Sequence, residues 1–216
     1  MSGDVHAGFC ERREVRFLPA THLVAGFQHR DDAEQFLADL RERFAQFNLE
    51  LAAEKTRLIE FGRYAAQNRA ARGGRRPETF AFLGFTHMCA TTRAGKFKLW
   101  RVTEKKRMRA KLRAVKTELM RRRHLPIPDQ GRWLASVVRG HCAYYAVPDN
   151  SAALRAFRDQ VTRLWRRALG RRSQRAQVNW TRMHRLAKRW LPAVRILHPW
   201  PSVRFDARTQ GRSPVR

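Results

Sequence analysis

The chain has 216 residues, with 46 Lys and Arg against 18 Asp and Glu, a formal charge of +28 and a pI near 11.7. A polyanion is the natural source of the missing negative charge, and nucleic acid is the first candidate. At 43% hydrophobic and 10% aromatic, with six Trp and 13 Phe, the sequence holds enough core material to exclude disorder throughout.

No apolar run approaches the roughly 20 residues that span a bilayer, and the opening MSGDVHAGFCERRE has no signal-peptide core. The expectation is a cytoplasmic protein with no membrane partner. Cys10, Cys89 and Cys142 lie far apart without metal-ligand spacing, and read as reduced, mostly buried thiols.

In chain order, residues 1–22 show no period and stay unassigned. HLVAGF (22–27) reads as a short buried strand. Asp31 then caps a helix in which Phe36, Leu37, Leu40, Phe44 and Phe47 recur at helical spacing. NLEL and TRLIEF read as two strands joined by AAEK. Residues 62–78 form a basic, Gly-containing loop that either touches phosphates or is simply solvated. TFAFLGFTHM and KFKLWRV are strands joined by CATTRAG, so a small antiparallel sheet with one helix extends to about Val102.

Helical spacing follows. Met108, Leu112, Val115 and Leu119 make one apolar face, and Pro126 and Pro128 end that helix. A second helix runs from about Asp129 to Tyr145 and a third begins near Ser151, with Asn150 or Ser151 as its cap. A weaker fourth covers Trp180 to Trp190. The predicted class is α+β: a small antiparallel sheet with one helix, then an all-helical bundle.

The basic residues cluster in 63–76, 105–123 and 163–175, and Glu118 is the only acidic residue between Lys105 and Arg123. Like charges at three- and four-residue spacing oppose helix formation by a few tenths of a kcal/mol per pair. A phosphate partner offsets this repulsion, whether in RNA or in DNA.

Catalytic motifs are missing. Asp31-Asp32 suits the start of a helix better than a two-metal site. His6 with Cys10, or His141 with Cys142, lacks a second ligand pair, so no metal is predicted. Gly73-Gly74 lacks the Lys-Ser/Thr of a phosphate-cradling loop, and no motif frames a nucleophilic serine.

Three stretches in order resemble the second half of a group II intron-encoded reverse transcriptase/maturase. They are LVAGFQHRDDAEQFLADLRERFAQFNLELAAEKTRLIEFGR, TFAFLGFTHM, and PIPDQGRWLASVVRGHCAYYAVPDNSAALRAFRDQVTRLWRRAL. The resemblance spans about 23–201. It implies the C-terminal part of a polymerase palm over 23–102, a thumb and maturase-specific domain X over 103–190, and a basic tail over 191–216. The sheet would then be a palm remnant and the bundle a thumb/maturase unit. The implied partner is group II intron RNA, whose folding and splicing the protein assists, with target DNA a further partner of the tail.

One departure bears on activity. Where the family has Tyr-Ala-Asp-Asp, this chain has Pro19-Ala20-Thr21-His22. Thr21 and His22 do not replace a carboxylate pair for the magnesium that full-length relatives use. No stretch here resembles the fingers or earlier palm either, so the expectation is a chain that does not polymerise DNA alone and needs no cofactor. Its unmatched start fits a frame change or truncation. Lys55 matches a lysine near the incoming nucleotide and reads here as a possible remnant or a plain surface residue. Leu83, Gly84 and Phe85 match a primer-positioning turn, or are only a buried hairpin.

On the helix ending RGHCAYYAVPDN, Tyr144 and Tyr145 read as core aromatics with tied hydroxyls, and Arg139 as its phosphate contact. The predicted RNA-binding set is Lys105, Lys106, Arg109, Arg113, Arg139, Arg155, Arg158, Arg163, Arg166 and Arg167. Two other readings stay open: a reverse transcriptase complemented by an upstream polypeptide, and a decayed reading frame without function.

Overall fold

In TFAFLGFTHM, Leu83 and Gly84 both take positive φ, +47° and +75°. This is the pattern of a type I′ turn, whose twist suits two antiparallel strands. The turn joins β1 (Phe80–Phe82) to β2 (Phe85–Thr91), with Phe82 opposite Phe85. β2 then pairs along its length with β3 (Phe97–Thr103). The computed structural model describes residues 23–74, 76–172 and 178–200. Among them, six helices accompany this three-stranded antiparallel sheet, a mixed α+β structure.

Four helices make the main core: α3 (Lys105–Arg121), α4 (Ile127–Tyr145), α5 (Ser151–Gly170) and α6 (Trp180–Trp190). Val115 and Leu119 of α3 meet Leu134 and Val138 of α4, Leu154, Phe157, Val161 and Trp165 of α5, and Met183 and Ala187 of α6. A buried Leu or Phe stabilises a fold by roughly 1.5–3 kcal/mol relative to exposure, so this cluster dominates the described structure.

Polar bonds fix how the helices run. The Thr103 N–H donates to Asn150 Oδ1 at 3.0 Å, and the Asn150 amide donates to Thr103 Oγ1 at 2.7 Å and to the Tyr145 carbonyl at 2.8 Å. At the far ends, the Arg172 guanidinium donates to the carbonyls of Arg123 and Leu125. With both starts and both ends joined, α3 and α5 run parallel in direct contact, and α4 runs back antiparallel to both.

Gln130 closes the same end. It is fully buried, donates to the carbonyls of Arg122, Arg123 and Leu125, and accepts from Trp165 Nε1 at 2.8 Å. It thereby ties down carbonyls of the α3 C-cap, Arg122, and of the connection that follows it. One residue on, Gly131 is packed so closely that an added Cβ would lie 2.5 Å from the Trp190 ring, which lets α4 and α6 cross.

Several expectations for the first third of the described chain are corrected. HLVAGF is not a buried strand: residues 23–27 form no ladder, and Leu23, Val24 and Phe27 are exposed. NLEL and TRLIEF form no strands either. Strand-like sequence becomes strand only when a neighbour supplies the ladder, and none of these segments finds one. α1 (Arg30–Ala45) forms as expected, but its N-cap is His29. Asp31 and Asp32 sit exposed in its first turn, where negative charge favours the helix dipole. Phe36 and Phe47 are exposed, and Ala33 alone is buried on α1.

The basic loop contains a short helix, α2 (Ala65–Ala71), so two helices precede the sheet, not one. Arg69 and Arg72 reach Glu78 and Glu60, which ties the segment to its flanks. The four predicted helices of the second half all form, α6 over its expected span. Residues 1–22 and 201–216 lie outside the described residues, with Thr21, His22, Cys10 and most of the basic tail.

Candidate nucleic-acid interface

α3 buries Val115 and Leu119, with Met108 and Leu112 partly covered beside them. That leaves Lys106, Arg109, Arg113 and Lys116, spaced by three, four and three residues, as one outward stripe about 15 Å long. All four are exposed, and among the described residues no carboxylate lies within 4.0 Å of any of them or of Lys105. The two acidic groups of this region are engaged elsewhere: Glu104 with Arg107 and Glu118 with Arg122 and Arg121.

The other predicted contacts divide by location. Arg139 on α4 and Arg155, Arg163 and Arg167 on α5 are exposed, and none has a carboxylate partner among the described residues. Arg155 donates only a long 3.4 Å bond to Ser151 Oγ. Arg158 and Arg166 are half-buried and committed to backbone carbonyls at the two ends of α6. Arg158 donates to the carbonyls of Pro192, Ala187 and Leu191 at 3.1, 3.2 and 3.4 Å. Arg166 donates to the Val178 carbonyl at 2.9 Å and lies 4.5 Å over the Trp180 ring. These two arginines hold opposite ends of α6 against α5, so the two helices run antiparallel.

Leu83, Gly84 and Phe85 meet the end of α4. Leu83 is 62% exposed at φ +47°, an uncommon conformation for a bulky residue. The Tyr144 hydroxyl donates to its carbonyl at 2.8 Å. Gly84 faces the Tyr145 hydroxyl, and its carbonyl accepts from the Glu104 N–H at 2.9 Å. Phe85 is buried and packs edge-on against Tyr145 at 5.1 Å. Of the two tyrosines expected in the core, Tyr145 is half-buried and Tyr144 exposed, because the hairpin covers only one side of the helix end.

His141 and Cys142 are buried side by side with no metal partner set. The His141 ring stacks on Phe157 at 3.7 Å and its Nε2 has no hydrogen-bond partner. Burial, with a smaller push from Lys111, lowers its pKa to about 4. Burial likewise raises the Cys142 thiol, against a smaller opposing pull from Arg158, which leaves it a poor nucleophile at neutral pH. Asn150 stands at the N-cap of α5, but its side chain serves Thr103 and Tyr145 and does not cap.

Among the described residues, no three His, Cys, Asp or Glu side chains come together as a metal site. No described helix is long and apolar enough to cross a membrane. Lys55 is an exposed turn residue with no carboxylate within 4.0 Å among the described residues. Comparison with protein-family models, with curated proteins and with solved structures finds no match.

Two features escaped the reading of sequence. Charge is segregated: residues 23–61 hold eight Asp and Glu against five Lys and Arg, whereas 62–216 hold seven against 38. The second is the solvent face of α6, where Arg182, Arg185, Lys188 and Arg189 are all exposed.

Proposed function

We propose that this chain is a maturase-type RNA-binding protein, the C-terminal part of a group II intron reverse transcriptase/maturase, which binds intron RNA and assists its folding and splicing. The observation that carries the reading is the unneutralised stripe Lys106, Arg109, Arg113 and Lys116 on α3, with exposed Arg139, Arg155, Arg163 and Arg167 on the helices around it. Arginine suits structured RNA because its planar fork donates two parallel hydrogen bonds to phosphate. Arg158 and Arg166 serve this reading indirectly, by holding α6 in place.

The resemblance in the three quoted stretches supplies the identity of the RNA. In this reading the sheet is a palm remnant, the bundle a thumb and domain X, and the tail a site for target DNA. The protein works in the cytoplasm of a bacterium or in an organelle. Thr21 and His22 stand where the family holds magnesium with aspartates, and this donor set does not fit the metal. The chain alone therefore makes no DNA. The reading is tested by titrating a group II intron RNA and an unrelated structured RNA at moderate salt. Preference for the intron supports it, and equal affinity defeats it.

A second reading is favoured by the exposed apolar residues Leu23, Val24, Phe27, Phe36, Phe47, Leu49 and Leu58. They suit a surface that another polypeptide covers, as in a reverse transcriptase whose fingers and catalytic palm are supplied separately. Mixing the chain with such a polypeptide, primer, template and Mg²⁺ tests it: DNA product supports the reading and its absence removes it.

A further inference from the structure

The helix α6, WTRMHRLAKRW, contains no carboxylate. Arg182, Arg185 and Arg189, spaced by three and four, form one stripe of about 10 Å on its solvent side, and Lys188 and His184 are exposed beside it. No ion pair involves any of these side chains among the described residues.

A basic amphipathic helix of this kind also suits an anionic membrane surface, provided its apolar side is free to enter the lipid. Here that side is taken: Met183 and Ala187 are buried in the core of the bundle. Arg158 and Arg166 further fasten the two ends of the helix to α5. What remains available to a partner is the charged side and its edge.

At that edge stands Trp180, 42% exposed. The Arg166 guanidinium lies over its ring at 4.5 Å, and His184 stands 5.6 Å away, tilted by 36°. Arg166 is itself fixed by its bond to the Val178 carbonyl, so the indole is pinned while part of it faces solvent. Pinned aromatic rings beside a cationic track are how proteins bind single strands: bases stack on the rings and phosphates follow the cations.

We propose that α6 is a second RNA-contact surface, which takes a single-stranded stretch with its phosphates on Arg182, Arg185 and Arg189 and an unpaired base against Trp180. This rests on the RNA-binding reading above and names a new element and the class of RNA it takes.

The test uses the full chain, Arg182→Gln/Arg185→Gln/Arg189→Gln, Trp180→Leu and Trp180→Phe. Each is titrated at several KCl concentrations against a hairpin RNA carrying a single-stranded extension, against the same hairpin without it, and against phosphatidylserine vesicles. Circular dichroism melts verify that each variant keeps the bundle. For the extended hairpin, the triple variant should flatten the log–log salt dependence by about 2, at about 0.7 per phosphate contact on single strands. Trp180→Leu should lower affinity for the extended hairpin roughly tenfold and leave the blunt one unchanged, and Trp180→Phe should recover part of the loss. If the wild type binds RNA but the folded α6 variants bind the extended hairpin equally well, this inference falls and the RNA-binding reading stands. If the variants lose only vesicle binding, α6 is a membrane element and the inference falls as well. If the wild type binds neither RNA, both fall together.

Discussion

The Tyr145 hydroxyl lies 2.7 Å from where a Cβ on Gly84 would stand. Gly84 also has a φ of +75°, which a side chain disfavours. Both facts make this glycine the point where the hairpin seats on the helical bundle. Gly84→Val should therefore displace Tyr145 and destabilise the protein by about 2–4 kcal/mol, combining overpacking with backbone strain. Thermal unfolding measures it, and a variant within 0.5 kcal/mol of wild type would contradict the seating.

Leu83 makes the opposite case. Its exposed side chain at φ +47° costs stability for no burial in return. Leu83→Gly should stabilise by up to about 1 kcal/mol, since glycine takes this conformation freely. If RNA binding weakens in the more stable variant, the side chain at the hairpin tip touches the ligand; unchanged binding assigns it no such part.

Arg158 offers a way to separate holding from binding. Its guanidinium serves three carbonyls at the end of α6, and hydrogen bonds from a charged group contribute roughly 1.5–3 kcal/mol. Arg158→Leu should lower the unfolding free energy by about 2–3 kcal/mol and leave the salt slope of RNA binding within 0.3 of wild type. A slope that falls by a full contact, about 0.7–0.9, would instead make Arg158 a phosphate ligand.

Acid should loosen the bundle through His141. Its folded pKa is held near 4 by burial and then by Lys111, below the ordinary 6.5, so the unfolded chain binds the proton first. The stabilisation that comes from keeping the ring neutral is complete above pH 6.5 and is lost as pH falls from 6.5 towards 4, by up to about 3 kcal/mol. His141→Phe, which keeps the stack on Phe157, should flatten stability over this window. An unchanged pH profile in that variant would rule His141 out as the cause.

The bundle was legible in sequence because its helices carry their own signals. Met108, Leu112, Val115 and Leu119 repeat at helical spacing, prolines mark the break before α4, and α6 shows Met183 and Ala187 on one side. TFAFLGFTHM reads as one strand, whereas the positive-φ pair Leu83-Gly84 folds it into β1 and β2; beside the resemblance, only the hairpin alternative for Leu83, Gly84 and Phe85 pointed to that turn. HLVAGF, NLEL and TRLIEF misled because a strand depends on a neighbour that its own residues do not specify. The positions of Arg158 and Arg166 were hidden, since their acceptors lie 34 and 12 residues away along the chain. The cations of α6 were overlooked because that helix was recognised by its apolar side alone.

The most direct test of the central claim is the salt dependence of intron-RNA binding by Lys106→Gln/Arg109→Gln/Arg113→Gln/Lys116→Gln beside the wild type. These side chains are exposed, so the bundle should stay folded and lose a little self-repulsion. The account predicts a log–log slope reduced by about 3, at roughly 0.7–0.9 per lost phosphate contact, together with loss of preference for the intron over unrelated RNA. A folded variant with an unchanged slope and the same RNA preference would contradict it.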